Sequence, residues 1–178
     1  MKVYVGTYNK YNEGSIAGAW LDLEDYTNKD EFYEACQELH DRLDGEQDEY
    51  GDYVQHDHEF MFQDWEGIPS GMIEESWLNE KVFQLMDLDD YEKEIVEIYM
   101  GENEFDENMS FESIIERFAG IAQTCGDFAE QLAADTGAVS SENASWIVID
   151  WEATWKCNLR FDYEEIYHAG EYYFFHNY

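Results

Sequence analysis

The chain is 178 residues long, 44% hydrophobic and 17% aromatic, with 43 Asp and Glu against 9 Lys and Arg for a formal net charge of -34. That apolar content excludes a disordered acidic tail, which lacks the aromatic residues a core needs. The charge excludes nucleic acid and anionic membrane as direct partners, since both would repel it, and calls for a basic protein partner instead.

From the start, Val3, Val5 and Thr7 alternate with Tyr4, Gly6 and Tyr8, which predicts a strand, and Tyr11-Asn-Glu-Gly14 reads as a loop. Residues 15–23, SIAGAWLDL, predict a second strand pairing back on the first. The period then changes: Phe32, Cys36, Leu39 and Leu43 predict a helix over 28–44 with Asn28 as N-cap and these apolar residues inward. Glu31, Glu34, Glu38 and Asp41 fall opposite them as a carboxylate ladder, neighbours being about 5 to 6 Å apart. A loop over 44–53 leads to HDHEFMFQDW, a third strand with His58, Phe60 and Phe62 on one face.

Pro69, the only proline, marks a boundary and linker in GIPSG. Beyond it, Met72, Ile73, Trp77, Val82 and Leu85 suggest one helix, and Tyr91, Ile95, Ile98 and Tyr99 a second. Between Glu74 and Glu116 lie 15 acidic residues against Lys81 and Lys93, the densest negative charge in the chain. Ser110 caps a helix with Phe111, Ile114, Ile115 and Phe118 inward, and residues 127–136 form another ending at Gly137. The run SWIVIDWEATWKC satisfies both a strand and a helical stripe, and periodicity leaves both open. The end is a hairpin, EEIYH and EYYFFHN about Ala169-Gly170.

Signatures of chemistry are missing from the sequence. There is no G-x-S-x-G, phosphate-binding loop or dinucleotide fingerprint, so neither catalysis nor a cofactor is expected. His56 and His58, with Asp57 and Glu59, would share a strand face yet need further ligands, so no metal site is expected either. Acidic runs at 44–48 and 87–90 depart from the calcium-loop pattern. Trp20, Trp65, Trp77, Trp146, Trp151 and Trp155 lack the basic groove that single-strand binding needs, and read as core or interface. Cys36, Cys125 and Cys157, odd in number and widely spaced, fit reduced buried thiols in a cytoplasmic protein. No apolar run reaches the roughly 18 residues of a bilayer span, and the opening MKVYVGTYNKYNEG has no cleavable leader.

The charge exceeds the magnitude of about 2 to 8 usual for a small soluble domain. It equals that of roughly 58 Å of DNA duplex, about 17 base pairs, which suggests imitation of DNA. An acid-rich halophile surface would carry such a charge too, as would an acidic mimic or chaperone for a basic DNA-binding protein such as a nucleoid protein or repair enzyme.

In the opening VYVGTYNKYNEGSIAGAWLDL, the His56-Asp57 region, Ala133-Ala-Asp-Thr-Gly-Ala138, the W-x-x-x-D-W-E-A run ending at Ala153 and the final hairpin, the chain resembles the ArdA antirestriction family. The resemblance implies an α+β fold, an elongated homodimer of three small units, here residues 1–66 (antiparallel sheet with a helix), 67–108 (acidic and helical) and 109–178 (helices plus β-hairpin). It also implies a helix over 145–157. By the same resemblance the chain is a cytoplasmic, non-catalytic DNA mimic carried on mobile genetic elements. It would fill the DNA groove of the specificity and methyltransferase subunits of type I restriction-modification enzymes, blocking cleavage and modification. The candidate phosphate mimics are Glu31, Glu34, Glu38 and Asp41; Glu74, Glu75, Glu80, Asp89, Asp90 and Glu92; and Glu94, Glu97, Glu102, Glu104, Asp106, Glu107, Glu112 and Glu116.

Overall fold

The computed structural model describes residues 1–103, 106, 108–139 and 147–177, which form an α+β fold of two compact units, Met1–Lys93 and Glu94–Tyr178. In the first unit, β1 (Lys2–Thr7) leads into a short helix, α1 (Tyr8–Asn12), then β2 (Ala19–Asp22), α2 (Lys29–Asp44) and β3 (Phe60–Glu66). The sheet order is β2-β1-β3, antiparallel throughout. Alternation sends Val3 and Val5 to the core face, where they are fully buried with Leu23, Phe32, Cys36 and Phe62. Each such side chain contributes roughly 1.5 to 3 kcal/mol of burial energy. The rings of Phe32 on α2 and Phe62 on β3 meet at 5.9 Å.

Helix α2 and its Asn28 cap match the pattern in the sequence, with Asn28 Oδ1 accepting from the Glu31 N–H at 3.0 Å, while the second and third strands are shorter than expected, β2 falling within 15–23 and β3 starting at Phe60 so that His58 precedes it. Residues 8–12 are helical, taking Tyr8 from the expected strand and residues 11 and 12 from the expected loop, because the Thr7 side chain caps the Lys10 N–H. Leu43 is not inward: it is exposed at the end of α2, and His40 takes the buried place one turn after Cys36.

The segment about Pro69 is packed, with Met72 fully buried and its N–H donating to the Pro69 oxygen at 3.2 Å. No helix forms over 72–78. Instead β4 (Ile73–Glu74) and β5 (Trp77–Leu78) make a tight antiparallel pair, and the Glu75 carbonyl accepts from the Phe62 N–H at 2.6 Å. Apolar residues at 72, 73, 77 and 78 fit a hairpin tied to β3 as well as a helical stripe, and pairing decides. Helix α3 (Lys81–Asp87) follows, its first N–H accepted by Asn79 Oδ1 at 2.9 Å.

The boundary between the units falls within α4 (Asp90–Glu102), on which Ile95, Val96, Ile98 and Tyr99 are buried but Tyr91 is exposed. The second unit continues with α5 (Phe111–Arg117), β6 (Phe118–Ala122), α6 (Cys125–Asp135), α7 (Trp151–Cys157), β7 (Tyr163–His168) and β8 (Glu171–His176). Its sheet order is β6-β8-β7, so β8 is central. Both faces of β8 are covered, which explains its unbroken aromatic run. Phe174 stacks on Phe128 of α6 at 3.9 Å and meets Trp155 of α7, while Phe175 faces Tyr99 and Phe118.

The helix expected over 145–157 is correct only from Trp151: residues 147–150 are irregular, and 145 and 146 lie outside the described residues. The Asp150 side chain caps the Ala153 N–H at 2.9 Å and so sets the start. Strand β6, in which Phe118 sits beyond the end of α5, has no counterpart in the sequence expectation. The closing hairpin is as expected: Ala169 and Gly170 both take positive φ, 50° and 101°, as a two-residue turn requires. The thiols differ from expectation, because only Cys36 is buried, Cys125 being half-buried and Cys157 exposed.

Candidate functional site

The negative surface is shared between exposed helix faces and the strands and loops that join them. On α2, Glu34 and Glu38 are exposed one turn apart, about 5 to 6 Å between their Cβ atoms. Glu31 is exposed too, but its carboxylate accepts from the Thr27 N–H and hydroxyl at 2.9 and 2.8 Å, and these bonds hold its pKa below the usual value. It therefore closes the start of α2 as well as adding charge.

Asp41 does not belong to the outer ladder. It is 4% exposed, and its Oδ1 accepts from Gln37 Nε2 at 3.0 Å, the His56 N–H at 3.1 Å and His58 Nε2 at 2.9 Å. Helical spacing puts Asp41 opposite the apolar stripe, but the chain at 56–58 crosses that flank and brings donors with it. Burial raises the Asp41 carboxyl, and the hydrogen bonds of Gln37, His56 and His58 outweigh it, so the pKa is lowered. Beside it, Asp44 is held down chiefly by Lys10, 2.7 Å away, and His56 pairs with Glu46 at 3.1 Å. The two histidines considered above for metal thus each lie against carboxylates, His56 against Glu46 and His58 against Asp41, with Asp44 at 3.8 Å. Among the described residues, no three His, Cys, Asp or Glu side chains converge as a metal site.

Glu74, Glu75 and Glu80 are exposed around the β4–β5 hairpin and the start of α3. Asp89 caps α4 by accepting from the Glu92 N–H at 2.8 Å, and Glu92, half-buried, returns a bond from the Asp89 N–H at 3.3 Å. Asp90, Glu94 and Glu97 share one face of α4 by helical spacing, and Glu92 lies off it. Glu94 accepts from the Tyr173 hydroxyl at 2.7 Å, which ties this face to β8. Glu102 ends α4, Asp106 accepts from the Asn108 N–H at 2.8 Å, and Glu112 and Glu116 are exposed one turn apart on α5. Glu104 and Glu107 lie outside the described residues.

Two of the few cations, Lys10 and Arg117, are largely buried within a unit. Arg117 donates to the His176 carbonyl and the Tyr99 hydroxyl, each at 2.7 Å, and lies 3.9 Å from Glu164. Nine Lys and Arg can offset at most nine of 43 carboxylates, so most of the acidic surface has no cation of its own.

Asp150 and Glu152, outside the ladder, have structural work: Asp150 caps α7, and Glu152 Oε1 accepts from the Gly126 N–H at 3.0 Å and joins α7 to α6. Both lie in the D-W-E-A run. A family model described as Antirestriction protein (ArdA) matches residues 3–173.

The chain belongs to the ArdA antirestriction protein family. No curated protein and no solved structure matches it. The segments that resemble ArdA have physical roles in this fold. Gly18, two residues before Trp20, lies where a Cβ would collide with the Val5 carbonyl, so close pairing of β2 on β1 needs glycine there. Ala133–Ala138 ends α6, with the Thr136 hydroxyl donating to the Leu132 carbonyl at 2.6 Å and Gly137 at a φ of 70°. Among the described residues, no helix is long and apolar enough to cross a membrane.

Sequence reasoning missed Asp22, Asp64 and Glu66, which lie exposed on the solvent side of the first sheet. Strand alternation carries the signal, since it puts Asp22 on the same face as Trp20.

Proposed function

We propose that this ArdA protein acts as a DNA mimic, filling the duplex-binding groove of a type I restriction-modification enzyme and blocking cleavage and modification together. The observation that carries the proposal is the unneutralised carboxylate surface, running over exposed helix faces such as Glu34–Glu38, Glu94–Glu97 and Glu112–Glu116. The Lys and Arg side chains of a DNA groove bind phosphate oxygens, and a carboxylate offers the same bidentate acceptor geometry. Segments 1–66, 67–108 and 109–178 each present carboxylates to the enzyme in this scheme, and a homodimer doubles the length of duplex imitated. The work is cytoplasmic, where the target meets incoming DNA, and requires no reaction by the inhibitor.

The test is DNA cleavage and methyl transfer by a purified type I enzyme with added protein. Both activities fall together and both recover when duplex concentration is raised, as competition for one groove requires. Loss of cleavage with methyl transfer intact would contradict occupancy of the shared groove.

A further inference from the structure

The solvent side of the first sheet consists of two cross-strand rows. Register sets Asp22, Lys2 and Glu66 side by side in one row and Trp20, Tyr4 and Asp64 in the next. Directly opposed residues project to the same face, so the six side chains form one patch. Within it the Tyr4 and Trp20 rings meet edge to face at 5.6 Å, and the Tyr4 hydroxyl donates to the Ile16 carbonyl at 2.9 Å. The aromatic platform is held in place, yet Trp20 remains 39% exposed. It adds nothing to the core, which Val3, Val5 and Phe62 fill from the other side.

The patch already holds a cation. The Lys2 ammonium lies 4.7 Å from the centroid of the Trp20 ring and 3.0 Å from Glu66 Oε2. A π face and a carboxylate thus converge at distances suited to a positive group. The row also carries Asp22, with the amino terminus 3.8 Å from its Oδ1, and Asp64 flanks Tyr4.

We propose that this face is a docking site for arginine side chains of a basic partner segment, the guanidinium lying on Trp20 and forking onto Glu66 where Lys2 now sits. Charge complementarity selects the occupant. Three carboxylates in a chain of net charge -34 repel nucleic acid and draw a cationic segment. Arginine outcompetes the resident lysine because its planar group stacks on indole, pairs with carboxylate through two parallel bonds, and gives up water more readily than an ammonium does. The patch shares no residue with the carboxylates assigned above to phosphate mimicry, and its test does not depend on inhibition of any enzyme.

The test follows the Trp20 indole N–H resonance, assigned by its loss in Trp20→Leu or Trp20→Phe, during titration with hexa-arginine and hexa-lysine peptides. This readout is local, so binding of peptide elsewhere on the acidic surface does not mask it. The resonance moves with hexa-arginine, and hexa-lysine needs a higher concentration for the same shift. Lys2→Met, which vacates the seat, lowers the hexa-arginine half-saturation by about threefold relative to Lys156→Met, which changes charge equally on the second unit. The other indole resonances report that each variant is folded. An unmoved Trp20 resonance, equal response to both peptides, or equal curves for Lys2→Met and Lys156→Met would each overturn the proposal.

Discussion

The Lys10 ammonium lies 3.3 Å from His40 Nδ1, while His40 Nε2 is 3.2 Å from the Val5 carbonyl oxygen. An ammonium only donates and a carbonyl only accepts, so the buried imidazole is neutral with its proton on Nε2. Burial, and then the Lys10 charge, push its pKa down from 6.5 to about 4. In the unfolded chain the same imidazole takes a proton below its ordinary pKa. Stability from this group is therefore complete above about pH 6.5 and is lost as pH falls towards 4, on the order of 2 kcal/mol over that window. The lowered Asp41 and Asp44 carboxyls add a second loss at more acid pH. Thermal melts between pH 7 and 4.5 should show the melting temperature falling for the wild type and a flatter profile for His40→Gln. Equal slopes would contradict the assignment.

Buried and exposed carboxylates on α2 should behave differently. Asp41→Ala removes an acceptor for three partly buried donors and should cost about 2 to 4 kcal/mol in a urea melt. Glu38→Ala, on the exposed face, should stay within about 0.5 kcal/mol of wild type. Similar costs at both positions would put Asp41 in the wrong class.

Gly18→Ala should destabilise the first unit by about 2 kcal/mol or more, because the new methyl meets the Val5 backbone, which has no side-chain freedom to move away. Gly14→Ala serves as contrast: its φ of 82° disfavours a side chain, but no atom lies within 4 Å of the added carbon, so the cost should be about 1 kcal/mol.

Much of the fold was legible where one local signal sufficed. The Asn28 cap and helical period marked α2, and Ala169-Gly170 between β-rich runs marked the last hairpin. What failed depended on distant partners. Apolar residues at 72–78 became a hairpin through a bond to Phe62, and β6 forms because β8 lies beside it. For the acidic surface, helical spacing identified Glu34 and Glu38 as outward-facing but could not foresee that residues 56–58 would cover Asp41. Neither could it show that Glu92 and Glu94 are engaged by a cap and by Tyr173.

Those engagements decide how the charge should be probed. Reversing Glu92 would damage the start of α4 along with the surface, so the informative set is Glu34, Glu38 and Glu97. Single changes to Gln should each weaken inhibition of a type I enzyme by less than about threefold, since each alters one of many charges, and the triple change to Lys should weaken it by at least about tenfold. Circular dichroism melts confirm that each variant is folded. A single substitution that abolishes inhibition would point to a specific contact in place of a collective field.

The most direct measurement is displacement of a labelled duplex from a type I methyltransferase core by the purified chain, beside an unrelated folded protein of equal net charge and size. The DNA-mimic account predicts that the chain releases the duplex at concentrations where the matched protein leaves it bound. Equal release by both proteins, or release by neither, would contradict it.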